Sequence, residues 1–162
     1  MNEIQIHPTV EQNTAYLISE SIRGGGAILI SQKGKRFVNE LDTRDKVSNS
    51  IIALSEHYAY ILFDEQICAE NKAAETYISK GLAVKAGSLA ELAEKLNINP
   101  DSLITTVERY NHFVKQQHDE DFGTYYRHAS PVEPAILLRY THCTGHSPYY
   151  GWCNHQYEDR SS

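Results

Sequence analysis

The chain has 162 residues, 41% apolar and 22% charged, the balance of a globular protein with room for one core, or one core and a tail. A formal charge of −6 removes the electrostatic case for a nucleic-acid binder, and no apolar run approaches the ~20 residues of a membrane span. The N-terminus shows no basic-then-apolar leader, so a cytoplasmic location is the default expectation, and three cysteines suggest no disulfide framework.

Taken in order, Ile4 to His7 alternates and reads as a strand stopped by Pro8. Ala15 to Arg23 follows helical spacing, with Leu17, Ile18, Ser21 and Ile22 on one face and Glu20 paired with Arg23; Gly24–Gly26 ends it. Ala27–Ser31 and Arg36–Val38 read as two strands of a hairpin around Gln32-Lys33-Gly34-Lys35. Thr43 caps a helix to about Ser55 that buries Val47, Ile51, Ile52 and Leu54. Tyr58–Phe63 is strongly β-prone, Asp64 opens one or two helices to Lys80, and Leu82–Lys85 is a short strand.

Ser88-Leu89-Ala90-Glu91 has the form of a capping box before Leu92 and Leu96. Asn99-Pro100-Asp101 starts another helix, with proline at its first position and Leu103, Ile104, Val107, Tyr110, Asn111 and Val114 at three-four spacing. Helices interleaved with short strands and a hairpin predict an α+β domain, a small mixed sheet packed by several helices. After Gln117 the pattern loosens.

Several residues admit a plain reading and a chemical one. His7 is a histidine at a strand end, and Glu20 with Arg23 is a helix surface pair worth ~0.2–0.5 kcal/mol. Arg44 beside Asp45 is a charge pair at a helix start. The Gly24–Gly26 run is followed by neither a dinucleotide fingerprint nor a P-loop lysine, so no nucleotide site is expected in this chain. Cys143-x-x-His146 and Cys153-x-His155 match no closed zinc site, and no metal is expected.

Read together, the blocks I-Q-I-H-P-T, S-E-S-I-R-G-G-G-A-I-L-I, G-K-R-F-V-N-E-L-D-T-R-D, Y-I-L-F-D, V-E-R-Y-N and D-E-D-F-G resemble the capping (clamp) domain of FAD-dependent fumarate reductases of the flavocytochrome c type, from about Ile4 to Pro134. That family has T-E-x-x-R where this chain has S-E-x-x-R, and Ser19 keeps the hydroxyl. The resemblance implies a reaction in which reduced flavin gives hydride to an α,β-unsaturated carboxylate and an arginine gives the proton. It implies that Arg44 is the proton donor, that Glu20 and Arg23 form the relay that reprotonates it, and that His7 and Ser19 bind a substrate carboxylate. A dicarboxylate of the fumarate or succinate type suits that set. FAD is implied for the parent enzyme and none for this chain, whose FAD-binding domain is expected elsewhere. A chain lacking that partner is expected to be inactive alone and to form a homo-oligomer, most simply a two-fold dimer. The alternative from another class is a stand-alone carboxylate-binding or docking module without catalysis.

The tail departs from the family, which continues into F-Y-A-I-x-x-T-P-G-x-H-H-T-M-G-G. Read one nucleotide later, the codons for Arg139 and Tyr140 permit Ala and Ile, and those for Thr144 and Gly145 permit Pro and Gly. His146 to Trp152 permit I-H-H-T-M-G-G, and Cys153 to Glu158 permit V-T-I-N-T-K. The expectation is a +1 frameshift near residues 134–137. The domain then spans 1–134, and 135–162 is an out-of-frame tail whose histidines, cysteines and tyrosines carry no selected role, disordered or adventitiously packed.

Overall fold

The computed structural model describes residues 7–11, 16, 18–123, 131–132 and 135–143. Segments 7–11 and 135–143 are described by their backbone. The elements run β1 (His7–Glu11), α1 (Ser21–Gly24), β2 (Ile28–Ile30), α2 (Arg44–Ala53), β3 (Tyr58–Asp64), α3 (Glu65–Glu70), α4 (Lys72–Ser79), β4 (Ala83–Lys85), α5 (Leu89–Leu96), α6 (Pro100–Gln116) and β5 (Ala135–Cys143). The α+β expectation holds, and the pairings found are antiparallel, so the sheet is antiparallel rather than mixed.

The strand order is β1-β5-β3-β2, with β4 also on β5. β5 pairs with β3 along its length, from Tyr58 opposite Thr141 to Asp64 opposite Ala135. On its other edge it pairs with β4 through 136–138 and with β1 through 140–143. Residues 135–143, expected to begin a tail outside the core, thus supply the strand that joins the sheet together. Main-chain pairing uses N–H and C=O groups that every residue but proline carries, so it is largely blind to side-chain identity.

Both sheet faces are covered, which is why β2 and β3 read as nearly continuous apolar runs. Side chains alternate across a strand. Ile28, Ile30, Tyr60 and Leu62 point to one layer, with Leu92 and Ala93 of α5 and Leu103, Val107, Tyr110 and Phe113 of α6. Leu29, Ala59, Ile61 and Phe63 point to the other, with Ile18, Ile22, Val47 and Ile51, Ile67 of α3, and Ala74 and Tyr77 of α4.

Local signals place most helices. The Asp64 carboxylate accepts from Ile67 N at 2.8 Å and caps α3, although burial raises its pKa above the usual carboxylate value. Ser88 caps α5 through Glu91 N at 3.2 Å; the returning arm of the expected box reaches Gly87 N at 2.9 Å, one residue early. Asn99 caps α6 through Ser102 N at 3.0 Å. Thr43 is the N-cap of α2 with no side-chain cap bond.

Three expectations are corrected. β1 runs through Pro8 rather than stopping at it; it is an edge strand whose register shifts between His7 and Val10, where a missing N–H is tolerated. The helix expected over 15–23 is confined to Ser21–Gly24 among the described residues. Ser21 N donates to Ser19 Oγ and Ser19 N donates to Tyr77 Oη, so side chains take the amides that helix extension would use. The hairpin turn forms, with Ser31 N on Lys35 O and Gly34 at φ 71°, where a Cβ would sit 3.1 Å from Leu103 N. Its second arm is a single bridge, Ile30 to Arg36. Leu29 N donates to Glu40 Oε1 at 3.0 Å, a side chain standing where a strand carbonyl was expected.

That carboxylate belongs to a buried ionic cluster. Arg36 donates through Nε and Nη2 to the two oxygens of Glu40 at 2.8 and 2.7 Å, and through Nη2 to Asp119 at 2.8 Å. All three side chains are nearly inaccessible to solvent, and the guanidinium lies 5.1 and 4.9 Å from the ring centres of Tyr110 and Phe122. Arg36→Met, which strands two buried carboxylates, is expected to cost about 3–5 kcal/mol in urea unfolding. Truncating the exposed Lys46–Asp42 pair is expected to cost about 1 kcal/mol or less. Equal stability of the two variants would show that Arg36 does not hold the domain together. A chain ended at residue 134 lacks β5 and is expected to lose its cooperative thermal transition; a melting curve unchanged by that deletion would remove β5 from the fold.

Candidate functional site

Three of the charged residues singled out in the sequence meet at one carboxylate. Glu20 is the residue before α1, Arg23 lies within α1 and Arg44 is the first residue of α2. Glu20 Oε1 lies 3.4 Å from Arg23 Nη2 and 2.7 Å from Arg44 Nε, which also donates to Glu20 Oε2 at 2.8 Å. The side chains are graded in exposure: Arg23 6%, Glu20 28%, Arg44 43%. The row therefore runs from the interior to the surface, with the carboxylate between two guanidinium groups.

The inner end is anchored. Arg23 Nη1 donates to the main-chain carbonyl of Glu40 at 2.9 Å, and the Glu40 side chain is the one gripped by Arg36. The buried cluster thus fixes both the position of Arg23 and the start of the segment that carries Arg44 four residues later. Arg36, Glu40 and Asp119 were not singled out as site residues. Their signal was there in the G-K-R-F-V-N-E-L-D-T-R-D and D-E-D-F-G blocks, but the pairing of Arg36 with Asp119 spans 83 positions, beyond any local pattern.

Ser19 adjoins this row. Its hydroxyl lies 2.7 Å from Ser21 Oγ, and its main-chain N–H donates to Tyr77 Oη at 2.7 Å. Tyr77 is buried on α4 and stacks edge-on against Tyr16, so Ser19 rests on a fixed support. His7 opens β1 opposite Cys143, and the expectation for its side chain lies outside what the structure describes. The cysteine and histidine pairs of the tail likewise lie outside the described side chains, and among the described residues no cluster has the composition of a metal site.

Gly24, Gly25 and Gly26 end a four-residue helix and lead into β2. Gly26 O accepts from Tyr110 Oη at 2.9 Å, and Ala27 N donates to Ile22 O. The order is helix, glycines, strand, the reverse of the strand-turn-helix that cradles a pyrophosphate. A concavity of about 490 Å³ lies along α6, lined by Lys35, Arg36, Thr105, Arg109, Tyr110 and Asp121 among others, and Glu20 and Arg44 are not among its lining residues. Arg109 there forms a two-pronged pair with Asp121, which lowers the carboxyl's pKa.

Residues 1–151 match the family model described as FAD binding domain. The chain is 64% identical over 123 residues to an NADH:fumarate oxidoreductase of Klebsiella pneumoniae, covering 76% of this chain and 13% of that protein. It is similar to the open conformation of a flavocytochrome c3 fumarate reductase, with TM-score 0.80, 31% identity and coverage of 87% of this chain and 25% of the other. It is also similar to the solution NMR structure of a fumarate reductase flavoprotein subunit from Lactobacillus plantarum, with TM-score 0.60, 26% identity and coverage of 76% and 85%. The chain therefore spans about an eighth of that curated relative and a quarter of the first solved structure. No described helix is long and apolar enough to cross a membrane. On the family match and these relatives, the chain belongs to the FAD binding domain family of flavoproteins, alongside fumarate reductases.

Proposed function

We propose that this chain is the capping part of a flavin-dependent reductase of α,β-unsaturated carboxylates, the part that binds the carboxylate and supplies the proton. The observation that carries the reading is the row Arg23–Glu20–Arg44, one carboxylate in contact with two guanidinium groups and ending at the surface. Ser19 stands beside it, and the relatives named above include fumarate oxidoreductases.

The chemistry follows from acidity. A guanidinium is a very weak acid in water, so in this reading Arg44 gives up a proton only to a strongly basic carbon such as one with carbanion character. Glu20, already hydrogen-bonded to Arg44 Nε, is placed to return a proton to it, and Arg23 orients that carboxylate from the other side. Ser19, with His7, holds a substrate carboxylate and fixes the alkene against Arg44. A dicarboxylate of the fumarate type fits the set. The glycine run of this chain does not fit the pyrophosphate of FAD, because it leads from helix to strand rather than from strand to helix. Hydride transfer is accordingly assigned to no residue of this chain.

The tail belongs to the same proposal. Residues from about 134–137 onward are read out of frame, so the family's H-H-T-M-G-G block is encoded but not translated. β5 persists because strand pairing survives a change of side chains.

Two experiments test the reading. The purified chain, given FAD, reduced viologen and fumarate, is expected to show no turnover; sustained fumarate reduction would overturn its assignment as one side of a site. In the enzyme expressed from the frame-restored gene with its flavin domain, Arg44→Ala is expected to abolish reduction while flavin stays bound. Arg44→Lys is expected to restore little, since an ammonium lacks the planar guanidinium whose Nε–H meets Glu20. Unchanged turnover in Arg44→Ala moves the proton donor to another residue.

A further inference from the structure

Ser19 ends a short hydrogen-bond chain that reaches it from α4. The chain starts at Asn71, the N-cap of α4, whose Oδ1 accepts from Ala73 N at 3.0 Å. That leaves Nδ2 facing Ser21, 2.7 Å from its Oγ. An amide NH2 only donates, so Ser21 Oγ accepts from Asn71. Ser21 Oγ lies 2.7 Å from Ser19 Oγ, and Ser21 N donates to the same Ser19 oxygen at 3.3 Å.

A hydroxyl has one proton and two lone pairs. If Ser21 donates to Ser19, the Ser19 oxygen accepts twice and its own proton points onward. If Ser19 donates to Ser21 instead, the proton of the exposed Ser21 hydroxyl turns to solvent. The donor at Asn71 favours the first direction, because accepting a hydrogen bond makes a hydroxyl a better donor. Ser19 itself is held from behind by Tyr77 Oη.

We propose that Asn71 and Ser21 are positioning residues that make Ser19 a hydrogen-bond donor and so select an anionic acceptor, a carboxylate, at that point. The inference rests on the reading of Ser19 as a carboxylate ligand. It adds residues from a different helix, 50 positions along the chain from Ser21, to the determinants of substrate class.

The test uses the full chain labelled with 15N. Without ligand, Ser21→Ala is expected to move the Asn71 side-chain amide resonances upfield and to speed their exchange with solvent; unchanged resonances overturn the relay. With succinate as the probe at constant ionic strength, Asn71→Ser keeps a cap oxygen and no charge, yet is expected to bind roughly 2–10-fold more weakly, the worth of one hydrogen bond. Asn71→Asp, which turns the donor into an acceptor and reverses the chain, is expected to bind more weakly still at an unchanged melting temperature. Equal affinity for wild type and both variants overturns the proposal while the Ser19 reading stands. Wild type that shows no binding at millimolar succinate overturns the Ser19 reading itself, and the proposal with it.

Discussion

Arg36 holds two carboxylates, Glu40 and Asp119, inside a domain whose surrounding side chains exclude water, and the geometry of the candidate site follows from that arrangement. Removing three charges from solvent is costly, and the cost is offset only by close, well-aligned bonds. Those bonds are present: two prongs from Arg36 to Glu40, one to Asp119, and two aromatic rings against the guanidinium. The consequence is positional. Glu40 cannot shift without stranding Arg36, so its carbonyl is a fixed acceptor for Arg23, and its side chain a fixed acceptor for Leu29 N at the edge of the sheet.

From this anchor the polar contacts run outward through Arg23 and Glu20 to Arg44, losing burial at each step. In the proposed role of carrying a proton, the row needs both ends. The inner end must be rigid, or the carboxylate would swing between partners; the outer end must be reachable by substrate and solvent. A second, shorter chain, Asn71 to Ser21 to Ser19, reaches the same neighbourhood from α4. In the proposed reading one chain handles a proton and the other sets the polarity of a hydroxyl, and both pass through the short segment from Ser19 to Arg23.

β5 lies between β3 on one edge and β1 and β4 on the other, so it carries the strand that begins with His7. The ladder is made of main-chain groups, and residues Ala135 to Cys143 include neither glycine nor proline.

What the residues alone determined were the features with a short-range cause. Asp64, Ser88 and Asn99 cap their helices through amides three residues away, and the alternation within Tyr58–Phe63 divides one strand between two cores. The motif blocks likewise singled out Ser19, Glu20, Arg23 and Arg44, and the fold does bring Glu20, Arg23 and Arg44 together. What only the tertiary structure decided were the features whose partners are remote in the chain. A Glu40 side chain in place of a hairpin strand, a helix shortened because Tyr77 takes the Ser19 amide, and Asp119 beneath Arg36 all depend on contacts between distant segments. Periodicity and propensity report what a segment prefers by itself. Which donor meets which acceptor across 11, 58 or 83 positions is settled only when packing brings the segments together.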